Sequence, residues 1–159
     1  MMRQKRFINA LIFLAVGSLG LSTFILPLQA RSQETKQSCE IAILNAKNRI
    51  EQGRDMTVTM DMEDGSEEYP DHPDGRPTII WLEVDGSAAD SVMASPVFQR
   101  AIASEIINSC NSVGAVSFNR YQTGWINTIG LMRDGTIQKF ECVDDPERGS
   151  PSWGQEWCL

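Results

Sequence analysis

The stretch WINTIGLMRDGTIQKFECV (Trp125–Val143) contains two runs of β-branched and apolar residues on either side of Asp134-Gly135. Asp-Gly between such runs is a strong short-range hairpin signal. A two-residue turn there pairs Arg133 with Thr136, Leu131 with Gln138, Ile129 with Phe140 and Asn127 with Cys142. In that register Trp125, Ile129, Leu131 and Phe140 share one face, which is predicted to meet the helices. The strands are predicted over Trp125–Met132 and Thr136–Val143.

Three more strands and two helices extend from this hairpin. Residues 55–62 alternate, with Met56, Val58, Met60 and Met62 on one side and Asp55, Thr57, Thr59 and Asp61 on the other, the pattern of a half-buried strand. Thr78–Val84 (TIIWLEV) is β-rich and ends at Asp85-Gly86, and Val113–Tyr121 reads as a further strand. Ser38–Gln52 carries Ile41, Leu44, Ala46 and Ile50 at helical spacing, with Gly53 past its end. A second helix starts with Ser95 as N-cap and Pro96 in its first turn. It carries Val97, Phe98, Ala101, Ile102, Ile106 and Cys110 as an apolar stripe. The order α-β-β-α-β-β-β predicts an α+β domain with two helices packed on one face of a mainly antiparallel five-stranded sheet.

Between the first two strands lies an acidic loop, residues 63–77. Residues 60–77, MDMEDGSEEYPDHPDGRP, hold seven carboxylates and the chain's one histidine, His72. A calcium loop of EF-hand type started at Asp61 would have Ser66 where Gly is needed and His72 where Glu is needed. Gly65, Pro70, Pro73, Gly75 and Pro77 instead predict a solvated, turn-rich connector with His72 exposed. Weak Ca²⁺ binding by the 61–74 loop is the competing expectation, and no other cofactor is expected.

The chain begins with Arg3, Lys5 and Arg6, continues with 22 uncharged residues from Phe7 to Leu28, and reaches the small residue Ala30 before Arg31. This order reads as a signal peptide over residues 1–30, and the same length could serve as an uncleaved membrane anchor. Residues 31–159 then form a single exported domain. The leader takes three of the 14 basic residues and no acid, leaving 11 against 21 and a formal net charge of −10. Nothing clusters cations against a phosphate backbone, so nucleic-acid binding is not expected. Nor is membrane binding, unless the leader stays.

All four cysteines, Cys39, Cys110, Cys142 and Cys158, lie in the exported part. An even count outside the cytosol reads as two disulfides. Without a CxxC pair, neither a zinc site nor a redox dithiol is expected. Of the three pairings, Cys142–Cys158 with Cys39–Cys110 is preferred. The first closes a turn-rich C-terminal strap (residues 143–159), and the second ties the two helices.

The sequence has no nucleophile elbow, no HExxH and no phosphate-cradling loop. A single histidine leaves one candidate base for a Ser or Cys nucleophile. A carboxylate pair stays open among so many acids. Two segments have the composition of recognition surfaces. Asn119–Trp125 sets Arg120, Tyr121 and Gln122 about a Thr-Gly turn, and its plainer reading is a polar hairpin tip. Val143–Trp157 carries Arg148 and Trp153, either on a constrained contact loop or on a strap laid over the core. The run from Val113 to Asp145 resembles small exported proteins of unknown function in cyanobacteria. That resemblance covers the C-terminal half of the chain and implies a periplasmic, thylakoid-lumenal or extracellular location.

The expected function is therefore that of a non-catalytic exported binding or accessory protein of unknown protein or small-molecule partner. A small carboxylate-dependent hydrolase and a secreted protease inhibitor presenting Arg148 are the alternatives. Mass spectrometry of the native protein is expected to find its N-terminus within a residue or two of Arg31. A membrane-held chain still starting at Met1 or Met2 would contradict this.

Overall fold

The computed structural model of the chain describes residues 28–144 and 149–157. Helix α1 (Leu28–Glu51) is followed by strands β1 (Thr57–Asp64) and β2 (Thr78–Asp85). Helices α2 (Ala89–Met93) and α3 (Pro96–Ser109) come next, then β3 (Val113–Arg120), β4 (Ile126–Leu131), β5 (Ile137–Lys139), β6 (Glu141–Val143) and β7 (Gln155–Trp157). The five-stranded sheet runs in the order β1-β2-β3-β4-β5, and only β2 and β3 are parallel, joined through α2 and α3. The fold is thus α+β with a mainly antiparallel sheet, as the sequence predicts. It also holds two elements the sequence reading lacks, the five-residue α2 and a separate two-stranded parallel sheet of β6 and β7.

Helix α1 is described from Leu28 and passes straight through the expected cleavage position, so Cys39 lies within the helix rather than at its start. Cys39 is joined to Cys110, the residue closing α3, with Cα atoms 4.6 Å apart. Further along α1 and further back along α3, Arg49 forms an ion pair with Glu105. The two contacts run in opposite chain directions, so the helices are antiparallel. Cys142 is disulfide-bonded as well. The expected partner, Cys158, lies outside the described residues, which therefore contain one complete bridge where two are expected.

The helices cover one face of the sheet. Ala46 and Ile50 of α1, with Ile102, Ile106 and Ile107 of α3, pack on Val58, Ile80, Leu82, Val84, Val116, Phe118 and Ile129. The predicted α3 stripe is rotated slightly. Val97 at its start is 81 % exposed, whereas Gln99 is buried and its amide donates to the Met93 carbonyl, 3.2 Å. That bond satisfies a polar group that would otherwise be costly to bury. The methionine row fades along β1, from buried Met56 to exposed Met62. At the start of this edge strand, α1 supplies what a further strand would. The Val58 amide donates to Glu51 Oε1 (2.8 Å), and Lys47, paired with that same Glu51, donates to the Val58 carbonyl.

The opposite face is covered as well, and this overturns the solvated-connector reading of the acidic loop. Tyr69, from the middle of that loop, is only 4 % exposed and packs with Ile79, Ala115 and Phe140. Its ring meets Phe140 and Trp153 edge-on at 5.8 and 5.6 Å, and Phe140 meets Trp153 at 5.2 Å. Edge-on aromatic contacts add to the stabilisation from burial. The loop is also tied down by its backbone: Gly65 donates to the Pro77 carbonyl, and Tyr69 to the Gly65 carbonyl. His72 is half-buried, its Nδ1 2.9 Å from the Pro73 carbonyl and its ring edge-on to Trp153. Most of the carboxylates remain outside, while the one aromatic residue among them fills the second core.

The hairpin closes with three residues rather than two. Met132 donates to the Thr136 carbonyl (2.7 Å), Gly135 donates to the Met132 carbonyl (2.9 Å), and Gly135 has φ +83°. This is the three-residue loop with a left-handed Gly in its last position. Asp134 Oδ1 fixes the turn by accepting from the Thr136 amide and hydroxyl. The observed partners are accordingly Leu131 with Ile137, Gly130 with Gln138 and Ile129 with Lys139. A shift of one residue exchanges faces. Phe140 leaves the helix side and lands on the opposite face, where a Cβ on Gly130 would collide with its ring. Trp125 is 41 % exposed instead of turned toward the helices.

Tyr69→Ala is expected to destabilise the protein by about 3 kcal/mol, as removing a large buried aromatic does. Deleting residues 67–74 should cost at least as much, since it removes the same ring. Urea unfolding of the variants measures both. Unchanged midpoints would return the loop to the role of a solvated connector.

Candidate functional site

The strand expected to continue through Val143 breaks at Phe140. The Phe140 amide still donates to the Thr128 carbonyl at 2.8 Å. Beyond it the chain turns away, and Glu141–Val143 pairs with Gln155–Trp157 instead. A cleft of about 450 Å³ opens where the two sheets part, lined by Trp125, Ile126, Asn127, Lys139, Glu156 and Trp157, among others. A continuous strand would have closed it.

The backbone edge facing this cleft follows from the register. Asn119 lies opposite Ile126, and the Arg120 amide donates to the Trp125 carbonyl. In an antiparallel pair, residues with bonded and non-bonded partners alternate. The N–H and C=O groups of Ile126 and Thr128 therefore point away from β3. Thr128 is satisfied on that side, since its carbonyl accepts from Phe140 and its amide donates to Glu156 Oε2 at 3.0 Å. The carboxylate stands where the next strand's carbonyl would be. Ile126, two residues back along β4, faces the cleft with no described strand on that side.

Glu156 is 9 % exposed. Burial pushes its carboxyl above the ordinary glutamate range, opposed by its hydrogen bonds to Thr128 and the nearby charge of Lys139. Lys139 Nζ donates to Asn127 Oδ1 at 2.6 Å, and the Asn127 amide donates to the Met93 carbonyl at 3.0 Å. The ammonium thus keeps two further donors for the cleft. Trp125 and Trp157, 41 % and 36 % exposed, flank it.

The residues expected to form a binding surface are divided by the fold. Tyr121 and Gln122 are exposed at the β3–β4 tip beside this cleft, and the Gln122 amide donates to the Tyr121 hydroxyl at 3.2 Å. Arg120 is committed to the scaffold, pairing with Asp90 at 2.9 Å and Asp85 at 3.2 Å. Trp153 belongs to the second core and donates through Nε1 to the Leu131 carbonyl at 2.8 Å. It follows the strap reading, not the contact-loop reading. Arg148 lies outside the described residues. Lys139, Glu156 and Trp157 carried no motif, and only the cleft brings them together with Trp125.

A second cleft, about 590 Å³, lies between the acidic loop and the hairpin turn and includes His72, Arg76 and Arg133. Its cations are engaged: Arg76 donates to the Ile107 and Val113 carbonyls, and Arg133 approaches Asp71 at 3.7 Å. Ser66 Oγ stands 3.5 Å from His72 Nε2, long for a nucleophile–base pair. Among the described residues, no group of three or more His, Cys, Asp and Glu side chains is placed to hold a metal ion. No described helix is long and apolar enough to cross a membrane. No protein family, curated protein or solved structure matches the chain.

A carboxyl whose folded pKa is raised stabilises the fold below its unfolded pKa, and that contribution is lost as pH rises through the folded value. Glu156→Gln keeps an oxygen for the Thr128 amide without the buried charge. Its melting temperature is therefore expected to exceed that of the wild type at pH 8, with the difference shrinking toward zero by pH 4. Calorimetry across that range measures it. A constant difference would mean that Glu156 is not held under an ionisation penalty.

Proposed function

We propose that this chain is an exported, non-catalytic binding protein, an accessory of the envelope, thylakoid lumen or extracellular space, and that it contacts its ligand at the cleft between Trp125 and Trp157. The observation that carries this reading is the pair of half-exposed indoles on either side of a strand end left open at Ile126. Exposed aromatics around convergent polar groups are the composition of a recognition site. Glu156, the cleft's one carboxylate among the described residues, is occupied by the Thr128 amide. A hydrolase of the carboxylate type needs a second, facing acid. The described residues that line the cleft supply no second one.

An oxidising compartment agrees with the Cys39–Cys110 bridge and with the disulfide-bonded state of Cys142. The reading includes a second bridge, Cys142–Cys158, holding the strap that carries Glu156 and Trp157.

The test is capture from the exported fraction of the source cells by immobilised mature protein, beside the Trp125→Ala/Trp157→Ala variant. The wild type is expected to retain a partner that the variant loses while keeping its melting temperature. Equal retention by both would reject the cleft. Hydrolysis of glycoside or ester substrates, abolished in Glu156→Gln, would replace the binding reading with the enzymatic one.

A further inference from the structure

We infer that the Trp125–Trp157 cleft takes an extended peptide segment, which pairs with the backbone of Ile126 as an added strand and sets a carboxylate against Lys139. This rests on the binding reading above and adds the chemical class of the ligand.

The backbone argument comes from the register. Had the hairpin strand continued past Phe140, the next bonded pair would join Ile126 to Cys142. Cys142 pairs in the small sheet with Glu156 instead. Among the described residues no strand meets the Ile126 amide and carbonyl on this side, and they stand as one donor and one acceptor at the spacing a β-partner residue matches. A sheet edge with this pair free is the template that strand addition uses: main-chain bonds supply affinity, and flanking pockets select side chains. The Glu156–Thr128 contact marks the inner limit of the open edge, because the carboxylate already occupies the next position.

The side-chain chemistry agrees. Alternate residues of an extended ligand point to opposite sides, and here an indole stands at the β4 end of the cleft and another on β7. Both suit apolar or aromatic side chains. Lys139 is the cleft's cation among the described residues, with one of its three donors on Asn127. In a chain of formal net charge −7, a cation at the mouth of an aromatic cleft is complementary to an acidic group on the ligand. That group is a side-chain carboxylate or a free C-terminal carboxylate.

The experiment uses two phage-displayed random heptapeptide libraries, one with free C-termini and one with the peptides fused at both ends, panned against immobilised mature protein. A glycan array is probed in parallel. Selected peptides are expected to share apolar residues at alternate positions with one acid. Recovery from only the free-ended library assigns the acid to the C-terminus, and recovery from both assigns it to a side chain. N-methylation of a single backbone amide should weaken a selected peptide about tenfold, as loss of one hydrogen bond does. Lys139→Gln should weaken it about threefold and remove its salt dependence. Lys139→Gln and Trp125→Ala/Trp157→Ala are checked for an unchanged melting temperature, and the N-methyl series probes the edge without altering the protein. Peptide binding indifferent to every N-methyl position would overturn strand addition. Glycan binding lost in Trp125→Ala/Trp157→Ala, with no peptide selected, would overturn the peptide inference and leave the binding reading standing. Binding to neither would overturn both.

Discussion

The bond from the Gly135 amide to the Met132 carbonyl sets the hairpin loop at three residues, and much of the molecule depends on that count. With two residues in the loop, Phe140 would have joined the helix-side core and Lys139 would have stood on the other face. With three, Phe140 is committed to the far side, where Gly130 leaves room for its ring. Once it is anchored there against Tyr69 and Trp153, the chain cannot stay in line with β4, and the cleft opens at the point of departure.

A sheet with helices on one side needs a cover on the other if that face is apolar. This chain builds the cover from loops. Tyr69 comes from the acidic connector and Trp153 from the C-terminal strap, and the two segments are joined where the Trp153 amide donates to Asp71 at 2.9 Å. Such a layer has little regular hydrogen bonding of its own, so its order depends on three interlocked rings and a few backbone contacts. The acidic residues around Tyr69 keep the outer surface wet while the ring holds the loop in place.

Element positions and the fold class were legible in the sequence because alternation along strands and the Ser-Pro start of α3 are local signals. The hairpin register was not. Asp134-Gly135 suits either loop length, and what decides between them is burial of Phe140 on a face whose cover is distant in sequence. The acidic loop was misread for a similar reason: its carboxylates dominate the composition, and a single tyrosine carries the packing. Trp125 and the neighbouring Tyr121 and Gln122 were visible as a polar, aromatic tip. Lys139, Glu156 and Trp157 were not, because their juxtaposition depends on the break at Phe140. Arg120 looked available but sits between Asp85 and Asp90, which come from the end of β2 and from α2.

The first strand shows what keeps such a sheet from growing. β1 is an outer strand, and its free side is a template for joining a second molecule into an aggregate. Two of its outward amides are already engaged by carboxylates: Val58 by Glu51, and Met62 by the side chain of its neighbour Asp61 at 2.8 Å. An approaching strand from another copy would have to displace these acceptors and bring its own Asp61, Glu63 and Asp64 against the same charges. The acids of β1 thus act as gatekeepers against self-assembly, because each copy would have to bury its own row of carboxylates against its neighbour's.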